Sequence, residues 1–197
     1  VMFSRRLCEI FCVGAVFAMS ATAFAQDLVG KTAPAFSLVD QNGKTHTLAD
    51  YSGKTVVLEW TNPGCPFVVR HYEAGTMKRV AEDAAKDDVV WLAVNSSYFT
   101  KTAESTEWAK KHGHTFPTLH DADGKVGKAY GAVTTPHMFV VNAQGQVAYE
   151  GAIDSDAWVK DAKATNYVAS ALADLKAKRA VAKNHVKPYG CSVKYKR

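Results

Sequence analysis

Glycine and proline together number only 19 of 197 residues, while 47% of the chain is hydrophobic and 22% charged. This composition excludes a collagen-like repeat, a disordered tail and a coiled coil. Blocks of like charge are missing as well. The 24 Lys and Arg exceed the 19 Asp and Glu by five, spread along the chain with no run of five or six, so no electrostatic footprint for nucleic acid is visible. No Gly-rich phosphate loop follows any strand-like segment, which implies no nucleotide or organic cofactor. No repeat, low-complexity tract or shift in composition marks a domain boundary, and the length suits one domain with a good core, or at most two small ones. A membrane-spanning run is absent too: the apolar stretch from Leu7 to Met19 is interrupted by Glu9 and falls short of the roughly 20 residues that a span requires.

That stretch has another reading. Arg5 and Arg6 precede it, and Ala23, Phe24 and Ala25 close it just before Gln26. A positive start, a short apolar core and an A-x-A site make residues 1–25 a secretory signal peptide, leaving 26–197 as the exported domain and the bacterial periplasm as its expected compartment, with no stable membrane insertion after cleavage. Removal of the leader leaves 22 Lys and Arg against 18 Asp and Glu, and it removes Cys8 and Cys12. One pair of cysteines remains, Cys65 and Cys191. In an oxidising compartment two cysteines are expected to pair or to work in redox chemistry.

Along the mature chain, residues 36–48 read as a hairpin turning at Asn42 and Gly43, and 55–60 as a buried strand bounded by Gly53 and by Asn62-Pro63-Gly64. A polar helical stretch over 67–86 and a second apolar run at 89–94 complete a βαβ unit with a parallel strand pair. Residues 103–113 and 125–130 read as helices. A second hairpin pairs 137–141 with 146–150, and helical spacing of Tyr167, Val168, Ala171, Leu172 and Leu175 predicts an amphipathic helix within 156–182. A polar tail, 183–197, ends the chain. This order predicts an α/β fold: a central mixed sheet flanked by helices, with an N-terminal hairpin and a C-terminal helix plus tail.

Cys65 follows the buried strand and its breaker, and Pro66 stands where the first turn of a helix tolerates proline. Its sulfur is therefore expected at a helix N-terminus, where unpaired N–H groups favour a thiolate. The helix dipole contributes about 0.3–1 kcal/mol, less than about one unit of pKa, so stronger activation needs a cation. Arg70 and His71, one turn on, are the candidates. Glu59, in an apolar strand, is expected to have a raised pKa, which suits proton transfer; a satisfied buried carboxylate with no catalytic role is the plainer reading. The strand aromatics Trp60, Trp91, Phe139 and Tyr149 suit a core. His112, His114 and His120 suit solvated loops, so no metal is expected.

Residues 57–68, Val-Leu-Glu-Trp-Thr-Asn-Pro-Gly-Cys-Pro-Phe-Val, followed by Arg70-His71-Tyr72, resemble the active-site turn of the peroxiredoxin-like (AhpC/TSA-like) redoxins of the thioredoxin-fold superfamily. Thr134-Thr135-Pro136 resembles the cis-proline loop that faces a thioredoxin active site. Glu59, six residues before Cys65, matches the buried acid of thioredoxins, and residues 189–194, Tyr-Gly-Cys-Ser-Val-Lys, resemble the cysteine-bearing tail of the same redoxins. The chain departs from both parent motifs at one position. Val68 stands where thioredoxins have their second cysteine and where peroxiredoxins have the peroxidatic one.

The resemblance implies a thioredoxin-like fold with Pro136 cis, and an exported thiol-dependent oxidoreductase in which Cys65 attacks a disulfide or peroxide and Cys191 resolves the intermediate. Thr135, Pro136, Trp60 and Pro66 are the implied substrate contacts. The implied partners are a disulfide-bearing protein or a peroxide and a thiol reductant, with the chain a monomer or dimer. The competing reading is a noncatalytic binding module stapled by a structural Cys65–Cys191 disulfide, worth on the order of 5 kcal/mol for a loop of that length.

Overall fold

The computed structural model describes residues 27–196, so the expected leader lies outside the described residues. Nine strands and five helices are formed among them: β1 (Ser37–Asp40), β2 (Thr45–Thr47), β3 (Val56–Trp60), α1 (Pro66–Glu73), α2 (Thr76–Ala85), β4 (Val90–Asn95), α3 (Thr102–His112), β5 (Thr118–His120), α4 (Lys125–Ala129), β6 (Thr134–Thr135), β7 (His137–Val141), β8 (Val147–Gly151), α5 (Tyr167–Lys176) and β9 (Cys191–Ser192). Seven of the strands form one sheet in the order β2-β1-β5-β4-β3-β7-β8, and β6 and β9 form a separate small ladder.

The sheet is mixed. β3 and β4 are parallel, as the βαβ reading requires, and β4 and β5 are parallel as well; the remaining pairs are antiparallel. Successive side chains on a strand point to opposite faces, so the sheet sorts its residues into two cores. Val57, Trp91, Ala93, Met138, Val140 and Tyr149 pack with residues of α1, α2, α3 and α5 on one face. Val56, Leu58, Trp60, Leu92, Val94, Phe139 and Val141 pack on the other with Tyr130, Ala132 and Val193. β3 lies between β4 and β7, and all five of its side chains are buried.

Two expected helices come out differently. The stretch 67–86 is divided into α1 and α2 at Gly75, whose φ of +70° suits glycine and stops the first helix. The helix expected over 156–182 is confined to α5. Ahead of it, the Asp156 carboxylate accepts the N–H groups of Trp158, Lys160 and Asp161 and holds turns in place of a helix, and Asn166 then caps α5 by accepting the Ala169 N–H at 2.8 Å.

The tail is held against the domain. Glu150 exchanges backbone bonds with Asn184 and Val186, and the carbonyl of Val186 comes so near Gly151 that a Cβ there would stand 2.0 Å from it. No helix among the described residues is long and apolar enough to cross a membrane.

Candidate active site

The turn that presents Cys65 is built locally. Asn62 accepts the Gly64 N–H on its side chain at 2.8 Å and the Cys65 N–H on its carbonyl at 2.9 Å, which brings the chain sharply off the end of β3. Cys65 is the N-cap of α1, with exposed Pro66 at the first helical position. The Cys65 side chain is not displayed to solvent; the residue is only 1% exposed.

Its cover is the small ladder. The Thr135–Pro136 peptide is cis, as the resemblance implies, and β6 immediately before it pairs antiparallel with β9, Thr134 opposite Ser192 and Thr135 opposite Cys191. The Cys65 thiol donates to the Thr135 carbonyl at 2.9 Å. Cys191 is half-buried, and it lies near enough for each sulfur to shift the ionisation of the other. The tail therefore reaches the helix N-terminus, as a resolving role requires, and both sulfurs are thiols in this structure.

The pair is electrostatically unequal. Burial opposes ionisation of Cys65, but contacts from Thr135, from the Cys191 side chain and from the backbone N–H groups of Val68 and Cys191 together outweigh it, so its pKa lies below the ordinary thiol value. Cys191 moves the other way, pushed up to about 11 by burial and then by its contact with Cys65. Of the two, Cys65 is the sulfur prepared to be a thiolate, and Cys191 is the one that keeps its proton.

Neither cation suggested for this task supplies the shift. The Arg70 guanidinium lies over the ring of Trp158, 4.5 Å from its centroid, and near Phe67 at 5.8 Å. His71 is fully buried and turned to other partners. Its Nε2 is 2.9 Å from the Tyr189 hydroxyl, which donates to Asp154 at 2.6 Å, and its Nδ1 is 3.6 Å from the same carboxylate. Burial lowers the His71 pKa, with Asp154 and Asp156 opposing, so the ring tends toward neutrality.

Trp60 is also corrected. As the last residue of a strand flanked on both sides, it is fully buried, its indole N–H donates to Ser96 at 3.0 Å, and its ring packs on Tyr130 and Phe139. A side chain closed in this way belongs to the packed core.

Glu59 is fully buried on the same strand. Burial pushes its pKa up to about 7, with Trp91, Tyr72 and Thr61 opposing; the Trp91 indole donates to one carboxylate oxygen at 3.0 Å and the other oxygen has no partner. The group has the proton affinity of a neutral-pH acid, but it is not among those that shift either sulfur. His112 and His114 are not solvated as expected: they pack on Trp108 and Phe116, with ring centroids 4.0 and 4.2 Å apart.

Asp154 and Trp158 escaped sequence reading because their partners are remote in the chain. Tyr189 stood inside the quoted tail motif, two residues before Cys191, and that proximity was the available signal for its role. A cluster of metal-capable groups, Asp27, Glu150 and His185, was also missed; Glu150 there already accepts the Leu28 N–H and faces His185 at 3.0 Å.

A mixed sheet flanked by helices, with a cysteine at the strand-to-helix turn and a cis-proline loop opposite, defines a redoxin of the thioredoxin-fold class. The chain belongs to the AhpC/TSA family, which residues 29–150 match. Among solved structures it is similar to a hypothetical protein of Sinorhizobium meliloti, at 28% identity and a TM-score of 0.78 over 85% of this chain and 94% of that one. An uncharacterized conserved protein of Geobacillus kaustophilus matches at 27% identity and the same TM-score over 85% and 92%. The peroxidoxin BcpB of Mycobacterium tuberculosis shares the fold, at 22% identity and a TM-score of 0.60 over 77% and 97%. No curated protein matches the chain in sequence.

Proposed function

We propose that this protein is an exported thiol-dependent oxidoreductase that cycles Cys65 and Cys191 between dithiol and disulfide. The observation that carries the reading is the register of the small ladder, which sets Cys191 opposite the residue whose carbonyl receives the Cys65 thiol. Export rests on the leader-like residues 1–25, and the oxidised form would be returned by an external thiol reductant.

With a disulfide as substrate, the Cys65 thiolate attacks one sulfur, a Cys65 mixed disulfide forms, and the other half leaves as a thiolate. Cys191 then loses its proton and attacks Cys65 Sγ; the intramolecular disulfide forms, and the second half leaves and takes up a proton. With a hydroperoxide, the thiolate attacks the O–O bond and becomes a sulfenic acid as the alcohol or water leaves. Attack by Cys191 on that sulfur releases a second water. Lowered proton affinity at Cys65 supports its role as nucleophile, and the β6–β9 register, which sets Cys191 opposite the residue that Cys65 bonds, supports resolution within one chain. Glu59, fully buried on β3 with its pKa raised to about 7, is proposed as the buried acid that the resemblance assigns to proton movement for the disulfide.

Single-turnover experiments on the reduced protein test the assignment. Cys65→Ser should consume neither peroxide nor small disulfide. Cys191→Ser should consume one equivalent and stop with Cys65 as sulfenic acid or mixed disulfide. Undiminished oxidation in Cys65→Ser, or an unchanged final product in Cys191→Ser, would exclude this cycle.

A further inference from the structure

The resemblance makes Thr135 and Pro136 substrate contacts, so the backbone edge of β6 is where an extended polypeptide carrying a disulfide would pair in order to present its sulfur to Cys65. In this molecule that edge is taken. The chain's own Cys191 and Ser192 lie on it in antiparallel register and present the Cys191 thiol to Cys65.

The occupant is fastened on both sides. Before Cys191, the Tyr189 hydroxyl binds Asp154 at 2.6 Å and His71 at 2.9 Å, and Val186 donates to the Glu150 carbonyl at 3.1 Å. After it, Val193 donates to Val133, the Lys194 carbonyl accepts from Tyr98, and the Tyr195 hydroxyl donates to Ala132 at 2.7 Å. Gly190 marks how closely the two strands approach: a Cβ at this residue would stand 2.0 Å from the Thr135 carbonyl, and its φ of +127° is one that glycine adopts freely.

We propose that residues 189–195 are a built-in occupant of the strand-pairing slot, so that Cys65 accepts small oxidants, hydroperoxides and low-molecular-weight disulfides, and refuses disulfides carried in extended polypeptides. The inference rests on the reading that Cys65 is the reactive thiol. Because Cys65 is 1% exposed, any oxidant enters by displacing something, but the two classes require different displacements. A small oxidant needs only one face of the sulfur and makes no demand on the Thr134–Thr135 edge. A polypeptide needs the Thr134–Thr135 edge, which is free only after the whole anchored strand has left.

Two substrates with the same leaving group isolate the effect: hydroxyethyl disulfide, and a short uncharged extended peptide whose single cysteine is capped as the mixed disulfide with mercaptoethanol. For the reduced full-length protein, the rate constant with the small disulfide should exceed that with the peptide by at least about a hundredfold, since several hydrogen bonds must break before the peptide binds. Gly190→Ala forces the strand from Thr135, and Tyr189→Phe removes an anchor without adding bulk; either should bring the ratio under about tenfold, through faster reaction of the peptide. Comparable wild-type rates for the two substrates would overturn the proposal. So would a ratio unmoved in both variants while amide exchange reports that 189–195 has been released. If neither substrate oxidises Cys65, the redox reading beneath the proposal fails, which is a separate result.

Discussion

The Cys65 thiol points 2.9 Å from the carbonyl of Thr135, and Thr135 is the residue that Cys191 opposes across the β6–β9 ladder. One backbone group thus fixes both sulfurs: it receives a hydrogen bond from the first and belongs to the ladder that carries the second. The inequality in their proton affinities has another source: the carbonyl favours the protonated thiol, whereas the proton that Cys191 keeps and the Val68 N–H favour an anion at Cys65.

Thiol titration followed by ultraviolet thiolate absorbance should therefore resolve two well-separated steps in the reduced protein. The first belongs below the ordinary thiol value of 9.0, and the second lies toward 11. In Cys191→Ala the remaining titration should move upward, because a contact that lowers the Cys65 pKa is gone. Two overlapping steps near the ordinary value would contradict the assignment.

Arg70→Gln should leave the first thiol titration in place, because the guanidinium lies over Trp158 and the contacts that lower the Cys65 pKa come from Thr135, Cys191 and Val68. A rise of about one unit or more, as expected on losing a neighbouring cation, would show that Arg70 reaches the sulfur in solution.

Glu59 makes stability depend on pH. Its folded pKa of about 7 lies above the 4.5 of an ordinary glutamate, so the folded state holds a proton that the unfolded chain has lost between those limits. Stability should accordingly fall as pH rises from about 5 to 8, by on the order of 3 kcal/mol at most from this group. Glu59→Gln should stabilise the protein against urea at pH 8 and flatten that slope. An unchanged slope in the variant would place the titration elsewhere.

Trp60→Phe should cost about 1–2 kcal/mol in denaturant unfolding through the lost indole bond to Ser96 and the smaller ring, and should leave Cys65 oxidation rates unaltered. A rate change without a stability change would return Trp60 to the substrate site.

What could be read in advance was local. The breaker Asn62-Pro63-Gly64 followed by Cys65-Pro66 carries its own turn and helix start, and Asn42-Gly43 carries its hairpin, because each depends on residues a few positions apart. The cis-proline loop was legible only by resemblance. The chemistry around His71 was not legible at all, since Tyr189 lies 118 residues away and Asp154 belongs to a loop between β8 and α5. Short strands such as β5, β6 and β9 have no periodicity of two or three residues to read, and they exist because a partner edge is present. The composition of the tail shows only its polarity for the same reason: its bonds are mostly backbone bonds to remote segments, which composition does not report. Helix length was overread at Gly75 and before Asn166, where a left-handed glycine and an Asp156-centred turn override apolar spacing.

The central claim is that Cys65 and Cys191 are a reactive redox pair. Its most direct test is a nonreducing peptide map of the reduced mature protein, taken shortly after exposure to a single equivalent of hydrogen peroxide. Rapid and near-complete linkage of Cys65 to Cys191 within one chain is the expected result. Persistence of both thiols, here and after one equivalent of hydroxyethyl disulfide, would contradict it, and a linkage that forms only slowly in air would leave the pair as a structural staple.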